Sequence, residues 1–326
     1  MQRHDMTNIT SADGKQATLE QLFCSTSFAG KIPHQLKLFS AINIFLSVTA
    51  FLGNTLILIA LHKNSSLHPP SKLLFRCLAT TDLCVAFITE PLAVSYWMSV
   101  VNERSDICRY ASTSALITGL VLCSVSLLTS TAISVDRLLA LMLRLQYRCV
   151  VTLKRTRVIV TAFWVVSAVA ATLSLWNSTI TLWYSYLVIT LCLVTSIFSY
   201  TKIYVTLRHS EDRCEPPKQD HAQKEHARQK IPLNIARYRK AVSSALWVQF
   251  TLLICYLPYS IVGVVGQVLS NPASDEFSPV SLTKLGTVTV VYLNSSLNPI
   301  LYCWKINEVR QTVKDTIRQV LFCSSS

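Results

Sequence analysis

The sequence predicts an all-α membrane protein, a seven-transmembrane helix bundle with a short amphipathic cytoplasmic helix after the seventh span. Three observations support this fold class. Of the 326 residues, 51% are hydrophobic and only 14% are charged, against about 25% charged residues in soluble globular domains. Several runs without charge are long enough to cross a bilayer. The Lys and Arg residues concentrate in alternate connecting segments, as in multi-pass membrane proteins.

Seven segments satisfy the requirement of about 20 mostly apolar residues for one crossing. The expected spans are 38–61, 73–100, 109–143, 158–176, 180–207, 239–269 and 281–304. The first has no charged residue, whereas the second contains Asp82 and Glu90. The third is the apolar run that leads to Asp136.

The fourth and fifth spans follow from a stretch without any charge between Arg157 and Lys202. This stretch is too long for one crossing, so it is expected to form two helices joined by a short turn at 177–179. Asn271 and Pro272 end the sixth span, and Lys305 follows the seventh.

The positions of Lys and Arg predict the orientation. With the N-terminus outside, the cytoplasmic segments carry 23 of the 30 Lys and Arg residues and the external segments carry seven. Residues 1–37 are then an extracellular segment, 208–238 the third cytoplasmic loop, and 305–326 a cytoplasmic tail. The formal net charge of +13 is therefore explained by sidedness, without a nucleic-acid partner.

Three modification sites are expected on this topology. The sequons at Asn8 and Asn177 lie outside, where glycosylation takes place. In the tail, apolar residues recur at helical spacing opposite basic ones, which predicts an amphipathic helix on the anionic inner leaflet. Cys323 is placed for palmitoylation, and a free thiol is the alternative.

Polar residues at membrane depth indicate a functional site by default, because burying them is costly. Asp82 lies in the middle of its span, and the polar residues expected to face it are Asn54, Ser126, Asn294, Ser295 and Asn298. A carboxylate among hydroxyl and amide groups suits a small cation or a water network. Polar contacts between helices without an ion are the alternative.

A second group of residues is suited to movement. Asp136 and Arg137 are adjacent opposite charges at the inner end of the third span, where they can pair; an Arg that only reaches the interface is the alternative. Pro258 in the sixth span and Pro299 in the seventh each remove one backbone hydrogen bond of their own helix and are expected to kink it.

Motifs in the seven spans together resemble the rhodopsin-like (class A) G-protein-coupled receptors, from about Leu38 to Cys323. They resemble the first-span GN, the second-span LAxxD, the third-span DRY, the fourth-span tryptophan, the fifth-span tyrosine, the CWxP motif and the seventh-span NSxxNPxxY. In order these are Gly53-Asn54, Leu78-Ala79-Thr80-Thr81-Asp82, Asp136-Arg137-Leu138, Trp164, Tyr200, Cys255-Tyr256-Leu257-Pro258, and Asn294-Ser295-Ser296-Leu297-Asn298-Pro299-Ile300-Leu301-Tyr302.

The resemblance implies a receptor that activates a heterotrimeric G protein by shifting between two packings of its helices. Asp82, Ser126, Asn294, Ser295 and Asn298 match the family's allosteric sodium pocket. The activation switch is expected at Asp136, Arg137, Tyr200, Tyr256, Pro258, Pro299 and Tyr302, with Arg137 and Leu145 in contact with the G protein. No other cofactor or metal is expected.

The sequence departs from the family pattern at several positions. Leu138 replaces the DRY tyrosine, Tyr256 replaces the CWxP tryptophan, and Cys192 stands where the fifth span usually has proline. No acid lies near Tyr238 to restrain Arg137, which favours elevated basal activity. The short second outer loop without Cys resembles the melanocortin, lysophospholipid, cannabinoid and adenosine receptor branch.

Two cysteines, Cys24 and Cys108, face the oxidising side on this topology. Pairing of the N-terminal segment to the third span is one expectation, and two free thiols are the alternative. Most members of the family instead join the third span to the second outer loop, at the position that Ser112 holds here.

The ligand is expected to be mostly apolar. Gly119 stands where an aminergic receptor has its acid, and Tyr292 where an opsin has its lysine, so both classes are disfavoured. The residues left to line the pocket are Glu90, Gly119, Cys123, Tyr184, Tyr256, Tyr259 and Tyr292. They favour a lipid-like or small neutral ligand, with a peptide as the alternative and packing without ligand contact as a further one.

The sequence thus predicts a plasma-membrane receptor, with a G protein, an extracellular ligand and membrane lipid as its partners. A constitutively active or non-signalling receptor or partner subunit is the alternative. A transporter or channel is disfavoured because neither inverted repeats nor paired broken helices are found. An enzyme is not expected, since no nucleophile, base and orienting group share one face.

Overall fold

The computed structural model describes residues 32–63, 68–143, 146–176, 178–212, 250–266 and 279–305, together with Cys24, 310–311, 313–315 and Arg318. Within these ranges all regular structure is helical. The predicted extracellular segment up to 31, most of the third cytoplasmic loop and the end of the tail lie outside the described residues, Cys24 apart.

Seven long helices are described, labelled α1 to α7 here. Their bounds are α1 Pro33–Lys63, α2 Pro69–Val101, α3 Ser105–Leu143, α4 Leu153–Ser174, α5 Ser178–Asp212, α6 Phe250–Gly266 and α7 Pro279–Lys305. A one-turn helix, Tyr147–Val150, connects α3 to α4. Most of these helices extend beyond the apolar spans, because a helix continues into water where an apolar run has ended.

Helix starts follow the local sequence. Proline opens α1 and α2, as expected at the first helical position, where no N–H is needed. Thr152 caps α4 by accepting a hydrogen bond from the backbone N–H of Arg155 at 3.4 Å.

Five helices, α1 to α5, are long and apolar enough to cross a membrane by hydropathy alone. The described part of α6 is shorter, and α7 carries a polar run that lowers its hydropathy. That run is turned inward, since Asn294, Ser295 and Asn298 are all buried. The hydropathy of α7 is therefore low because its polar side chains are buried in the interior of the bundle.

The bundle is arranged around α3, which packs against α2, α4 and α5, while α1 packs against α2 and α7. α6 joins α3, α5 and α7 through a buried cluster of apolar side chains that includes Leu127, Cys192, Leu252 and Val291. Large apolar side chains such as Phe45 and Val194 are more than half exposed on the outside, as expected for a surface that faces lipid.

Described residues of the tail contact the bundle. Its described residues are helical, and Val313 is buried in an apolar cluster with Ile57 and Leu74, whereas Lys314 is exposed. These residues thus have the predicted amphipathic arrangement, with the apolar side against α1 and α2.

α2 contains a π turn over Val85–Thr89, which the sequence analysis missed. Here the N–H of Glu90 bonds to the carbonyl of Val85, five residues back. The next residue, Pro91, has no N–H to give to Ala86. The Ser47 hydroxyl of α1 donates to that carbonyl instead, at 2.7 Å.

Candidate functional site

The polar core of the bundle is centred on Asp82 of α2, which is fully buried. Its Oδ1 accepts hydrogen bonds from Ser126 of α3 at 3.0 Å and Ser295 of α7 at 2.9 Å. Its Oδ2 accepts from Asn298 of α7 at 2.7 Å. One carboxyl group therefore joins three helices, so a displacement of α3 or α7 must break or rebuild hydrogen bonds in a setting of low dielectric.

Two asparagines complete this core. Asn54 of α1 donates to the backbone carbonyls of Ala50 at 2.9 Å and Ser295 at 3.0 Å. Asn294 is buried, yet neither its amide nitrogen nor its oxygen has a hydrogen-bond partner among the described residues. Of the predicted set, Ser126, Ser295 and Asn298 thus contact Asp82 directly, while Asn294 is buried without such a contact.

Further polar contacts between α1 and α7 were not predicted. Asn43 donates to Thr289 at 3.0 Å, and Thr49 donates to Ser296 at 3.2 Å. Polar residues spaced within otherwise apolar spans are a signal for such contacts, but spacing alone does not identify the partner.

The oxygen atoms around Asp82 suit a monovalent cation. Hydroxyl and amide oxygens with one carboxylate are hard ligands, and hydroxyl protons can rotate away to present a lone pair. The oxygens of Asn294 and Asn298 have no hydrogen-bond donor within the described ranges. A transition-metal site is of another kind, and the described residues contain no group of three His, Cys, Asp or Glu side chains able to hold one.

A second network lies around Asp136, at the other end of α3. Asp136 is buried, and its Oδ2 accepts from Ser71 of α2 at 2.8 Å while its Oδ1 accepts from Tyr147 at 2.6 Å. Tyr147 belongs to the one-turn helix between α3 and α4. Asp136 of α3 is therefore hydrogen-bonded both to α2 and to the connection that follows α3. Burial, and to a smaller extent the hydrogen bond to Asp136, raise the pKa of the Tyr147 hydroxyl to about 12.

Of the two alternatives for Arg137, a pair with Asp136 or an Arg without that pair, the structure has the second. The Arg137 guanidinium lies over the ring of Phe75, 5.5 Å from the centroid. The carboxylate of Asp136 instead accepts hydrogen bonds from two hydroxyl groups, and the role of Tyr147 was not predicted from the sequence. An aromatic residue in a basic connection carried no distinguishing signal.

Several residues of the predicted switch lie in the described helices. Pro258 is inside α6 and Pro299 is buried inside α7. The hydroxyl of Tyr256, which needs a partner when buried, donates to the carbonyl of Cys123 at 3.4 Å. α5 is continuous through Cys192, which is buried against α6.

Other predicted positions fall outside the described residues. These are Leu145, Asn8, Asn177 and Cys323. Tyr200 and Tyr302 lie in α5 and α7, but their side chains are outside the description. The predicted roles of all six remain predictions.

The predicted ligand residues form two groups. Tyr184, Tyr256 and Tyr259 pack in the cluster between α3, α5 and α6. Tyr292 packs in the cluster between α2, α3 and α7, and Cys123 contacts both clusters. A Cβ on Gly119 would stand 3.7 Å from the Tyr292 hydroxyl oxygen, and Glu90 follows the π turn of α2, which contacts α3 and α7.

At the end of the bundle opposite Asp136, Cys24 and Cys108 form a disulfide. The bridge ties the segment before α1 to the start of α3. Of the two alternatives for these cysteines, a bridge or two free thiols, the structure has the bridge.

Two cavities lie on the flanks of the bundle. One, of about 470 Å³, lies between α3, α4 and α5 near Asp136, and the other, of about 650 Å³, lies between α1 and α7. Both are lined mainly by apolar side chains, and neither includes a predicted ligand residue.

Comparison with known protein families gives a match over most of the bundle. The model of the 7 transmembrane receptors of the rhodopsin family matches residues 53–179 and 172–302. These ranges begin at Gly53 in α1 and end at Tyr302 in α7, so they contain the Asp82 core and the Asp136 network.

Proposed function

This chain belongs to the rhodopsin family of seven-transmembrane receptors, and we propose that it converts binding of an extracellular ligand into activation of a heterotrimeric G protein. The observation that carries the proposal is the Asp82 network. A ligand that moves α3 relative to α7 changes the hydrogen bonds of one buried carboxyl group, and this couples ligand binding to helix packing.

The Asp136 network supports the same proposal at the other end of α3. An inner surface that opens must release Asp136 from Ser71 and Tyr147, and the Arg137 guanidinium is then available to the G protein. We propose that the receptor lies in the plasma membrane with its N-terminus outside. The Asp136 end of α3 then faces the cytoplasm. The concentration of Lys and Arg in the corresponding segments supports this orientation.

Nucleotide exchange tests the proposal. Cells expressing the chain are assayed for basal and ligand-dependent exchange on each main Gα class, for wild type and for Arg137→Ala. We expect exchange by wild type and at least a tenfold change for Arg137→Ala, since that side chain contacts the G protein. Arg109→Ala is the matched control, because Arg109 is exposed at the opposite end of the same helix.

Absence of exchange on every Gα class, despite surface expression and a broad ligand screen, would refute the signalling function. Wild-type exchange without any added ligand identifies a constitutively active receptor, the alternative favoured by the lack of an acid near Tyr238. An equal effect of the Arg109 and Arg137 substitutions contradicts the proposed role of Arg137.

We also propose that the Asp82 core binds a sodium ion in the inactive receptor. The bound ion would supply positive charge to Asp82 and stabilise the packing of α2, α3 and α7. Asp82, Ser126, Ser295, Asn294 and Asn298 are the residues that would hold it. The unpaired amide oxygens of Asn294 and Asn298 support this assignment.

Thermal unfolding of the purified receptor tests the ion. Sodium chloride is expected to raise the midpoint relative to potassium chloride at equal ionic strength, and Asp82→Asn is expected to remove this difference. Asp106→Asn, at an exposed acid at the start of α3, is the control. A sodium effect that survives in Asp82→Asn contradicts the site.

The ligand proposed from the pocket composition is lipid-like or small and neutral, with a peptide as the second candidate. The support is the tyrosine-rich, apolar surroundings of Cys123, formed by Tyr184, Tyr256, Tyr259 and Tyr292. The assignment to the melanocortin, lysophospholipid, cannabinoid and adenosine branch stays a prediction.

A further inference from the structure

Glu90 is a buried acid that neither network uses. The residue is fully buried in α2, and neither carboxyl oxygen has a hydrogen-bond partner among the described residues. The hydroxyl of the adjacent Thr89 is likewise buried without one. Native proteins leave few buried polar groups unpaired, and an acid at membrane depth is costly, so a partner that this chain does not itself supply is expected.

The π turn is what directs Glu90 inward. In a continuous α-helix Glu90 would lie about 80° around the axis from Asp82, but the wide turn acts as one inserted residue and reduces this angle to about 20°. The exposure pattern agrees, because Phe87 and Ile88 are 71% and 40% exposed while Thr89 and Glu90 are buried. The backbone therefore places both acids of α2 on the interior face.

The part of α2 that carries Thr89 and Glu90 contacts α3 and α7. A Cβ atom on Gly119 of α3 would stand 3.4 Å from Thr89 Cγ2 and 3.7 Å from Tyr292 Oη. Glu90 directly follows the π turn, and that turn contacts both α3 and α7. An acid, a phenol and a glycine thus lie where α2, α3 and α7 contact one another.

No basic side chain of these three helices is placed to pair with Glu90 among the described residues. The nearest on α7 is Lys284, which is exposed and eight residues before Tyr292, about 12 Å along the axis. The other acid nearby, Asp82, carries the same charge sign and already accepts three hydrogen bonds.

We propose that Glu90 binds a single protonated nitrogen of an otherwise apolar ligand, at the place where Gly119 of α3 and Tyr292 of α7 meet the π turn of α2. This assignment rests on the proposed receptor function and refines the ligand from neutral to singly cationic. The sequence disfavoured amines because the third span has glycine where an acid is usual. The structure brings an acid of the second span to the same region, so the argument against amines no longer holds.

Matched probes test the assignment on the purified full chain in nanodiscs. The probes are 4-phenylbutylamine and 4-phenylbutan-1-ol, which differ in one terminal group. We expect the amine to raise the unfolding midpoint of wild type more than the alcohol does. Glu90→Gln is expected to weaken the apparent affinity for the amine at least tenfold and to leave that for the alcohol unchanged. Glu103→Gln, at an exposed residue after α2, is the matched control.

A tethered amine makes the test independent of which free amine fits. Gly119→Lys places an ammonium group in the region itself, and Gly119→Met adds similar length without charge. We expect Glu90→Gln to destabilise the Gly119→Lys variant by several degrees more than it destabilises Gly119→Met. Such coupling in the double-mutant cycle supports the cation site whichever free amine is tested.

Equal effects of Glu90→Gln in the two Gly119 variants overturn the assignment. A rise of the unfolding midpoint by the amine that persists in Glu90→Gln overturns it too. So does a rise caused by sodium chloride and not by the amine, if that rise is lost in Glu90→Gln. None of these measurements uses a G protein. A failure of the proposed signalling function is therefore detected separately, by nucleotide exchange in wild type.

Discussion

Gly53→Ala is the substitution whose effect follows most directly from the structure. A Cβ on Gly53 of α1 would lie 2.8 Å from Cβ and 2.9 Å from Cγ of Pro299 in α7. Non-bonded carbon atoms are in contact at about 3.5–4.0 Å, so the two helices would have to separate by roughly 1 Å. The proline ring is buried and has no rotamer to move aside.

The expected cost has two parts. Overpacking of a rigid contact costs about 1–3 kcal/mol. The separation also strains the neighbouring hydrogen bond from Asn54 to the carbonyl of Ser295, now 3.0 Å, whose loss costs about 1 kcal/mol. A total of roughly 2–4 kcal/mol corresponds to a decrease of the unfolding midpoint on the order of 5–10 °C.

Two other glycines provide matched controls for thermal unfolding of the purified receptor. A Cβ on Gly119 would make ordinary contacts, at 3.4 and 3.7 Å. A Cβ on Gly263 would lie 2.7 Å from the hydroxyl of Tyr186, the far end of a side chain that can rotate. Alanine at either position is expected to change the midpoint by less than about 2 °C, a cost below 1 kcal/mol.

A Gly53→Ala midpoint within 2 °C of wild type would show that α1 and α7 separate easily, and would refute the reasoning. If Gly263→Ala lowers the midpoint as much as Gly53→Ala does, the contact distance decides the cost, and the rigidity of the contacting group does not.

Two further substitutions test single hydrogen bonds. Tyr147→Phe removes the donor to Asp136 and is expected to raise basal nucleotide exchange several-fold; unchanged exchange contradicts a restraint by Tyr147. Because the Tyr147 pKa is raised from 10.0 to about 12, its contribution to stability is fully present below pH 10 and lost between pH 10 and 12. The ultraviolet titration of wild type minus Tyr147→Phe should accordingly show one phenol ionising near pH 12, and ionisation near pH 10 contradicts this. Ser47→Ala leaves the carbonyl of Ala86 unpaired in the π turn and should cost about 1–3 kcal/mol in thermal unfolding. Ser95→Ala, at an exposed hydroxyl of α2, is the control, and its stability is expected to stay within about 0.5 kcal/mol of wild type. Equal losses of stability in the two variants contradict the role of Ser47.

Much of the bundle was accessible from the sequence because the signals are local. Runs without charge predicted the spans, since a charge in the hydrocarbon is costly at any position along a helix. The same reasoning singled out Asp82 and its partners Ser126, Ser295 and Asn298, which are the polar residues of otherwise apolar segments. The family match then confirmed the receptor class that the motifs predicted.

The partner of Asp136 could not be predicted in this way. The adjacent Arg137 was the one partner that the sequence suggested, with an unpaired Arg as the alternative, but Ser71 and Tyr147 donate hydrogen bonds to the carboxylate. Ser71 is 65 residues away, and its hydroxyl resembles any other serine at a span boundary until α2 and α3 are packed together.

The sequence by itself determined that the chain is a bundle of membrane-spanning helices and that Asp82 and its partners are buried within it, because both depend on the cost of moving each residue from water into lipid. Tertiary structure alone decided where those side chains point and what they meet. The π turn rotates Glu90 to the interior and is stabilised by Ser47 of another helix, and Gly53 is required only because Pro299 lies against it. Such pairs are set by helix packing between residues far apart in the chain, and no local pattern encodes them.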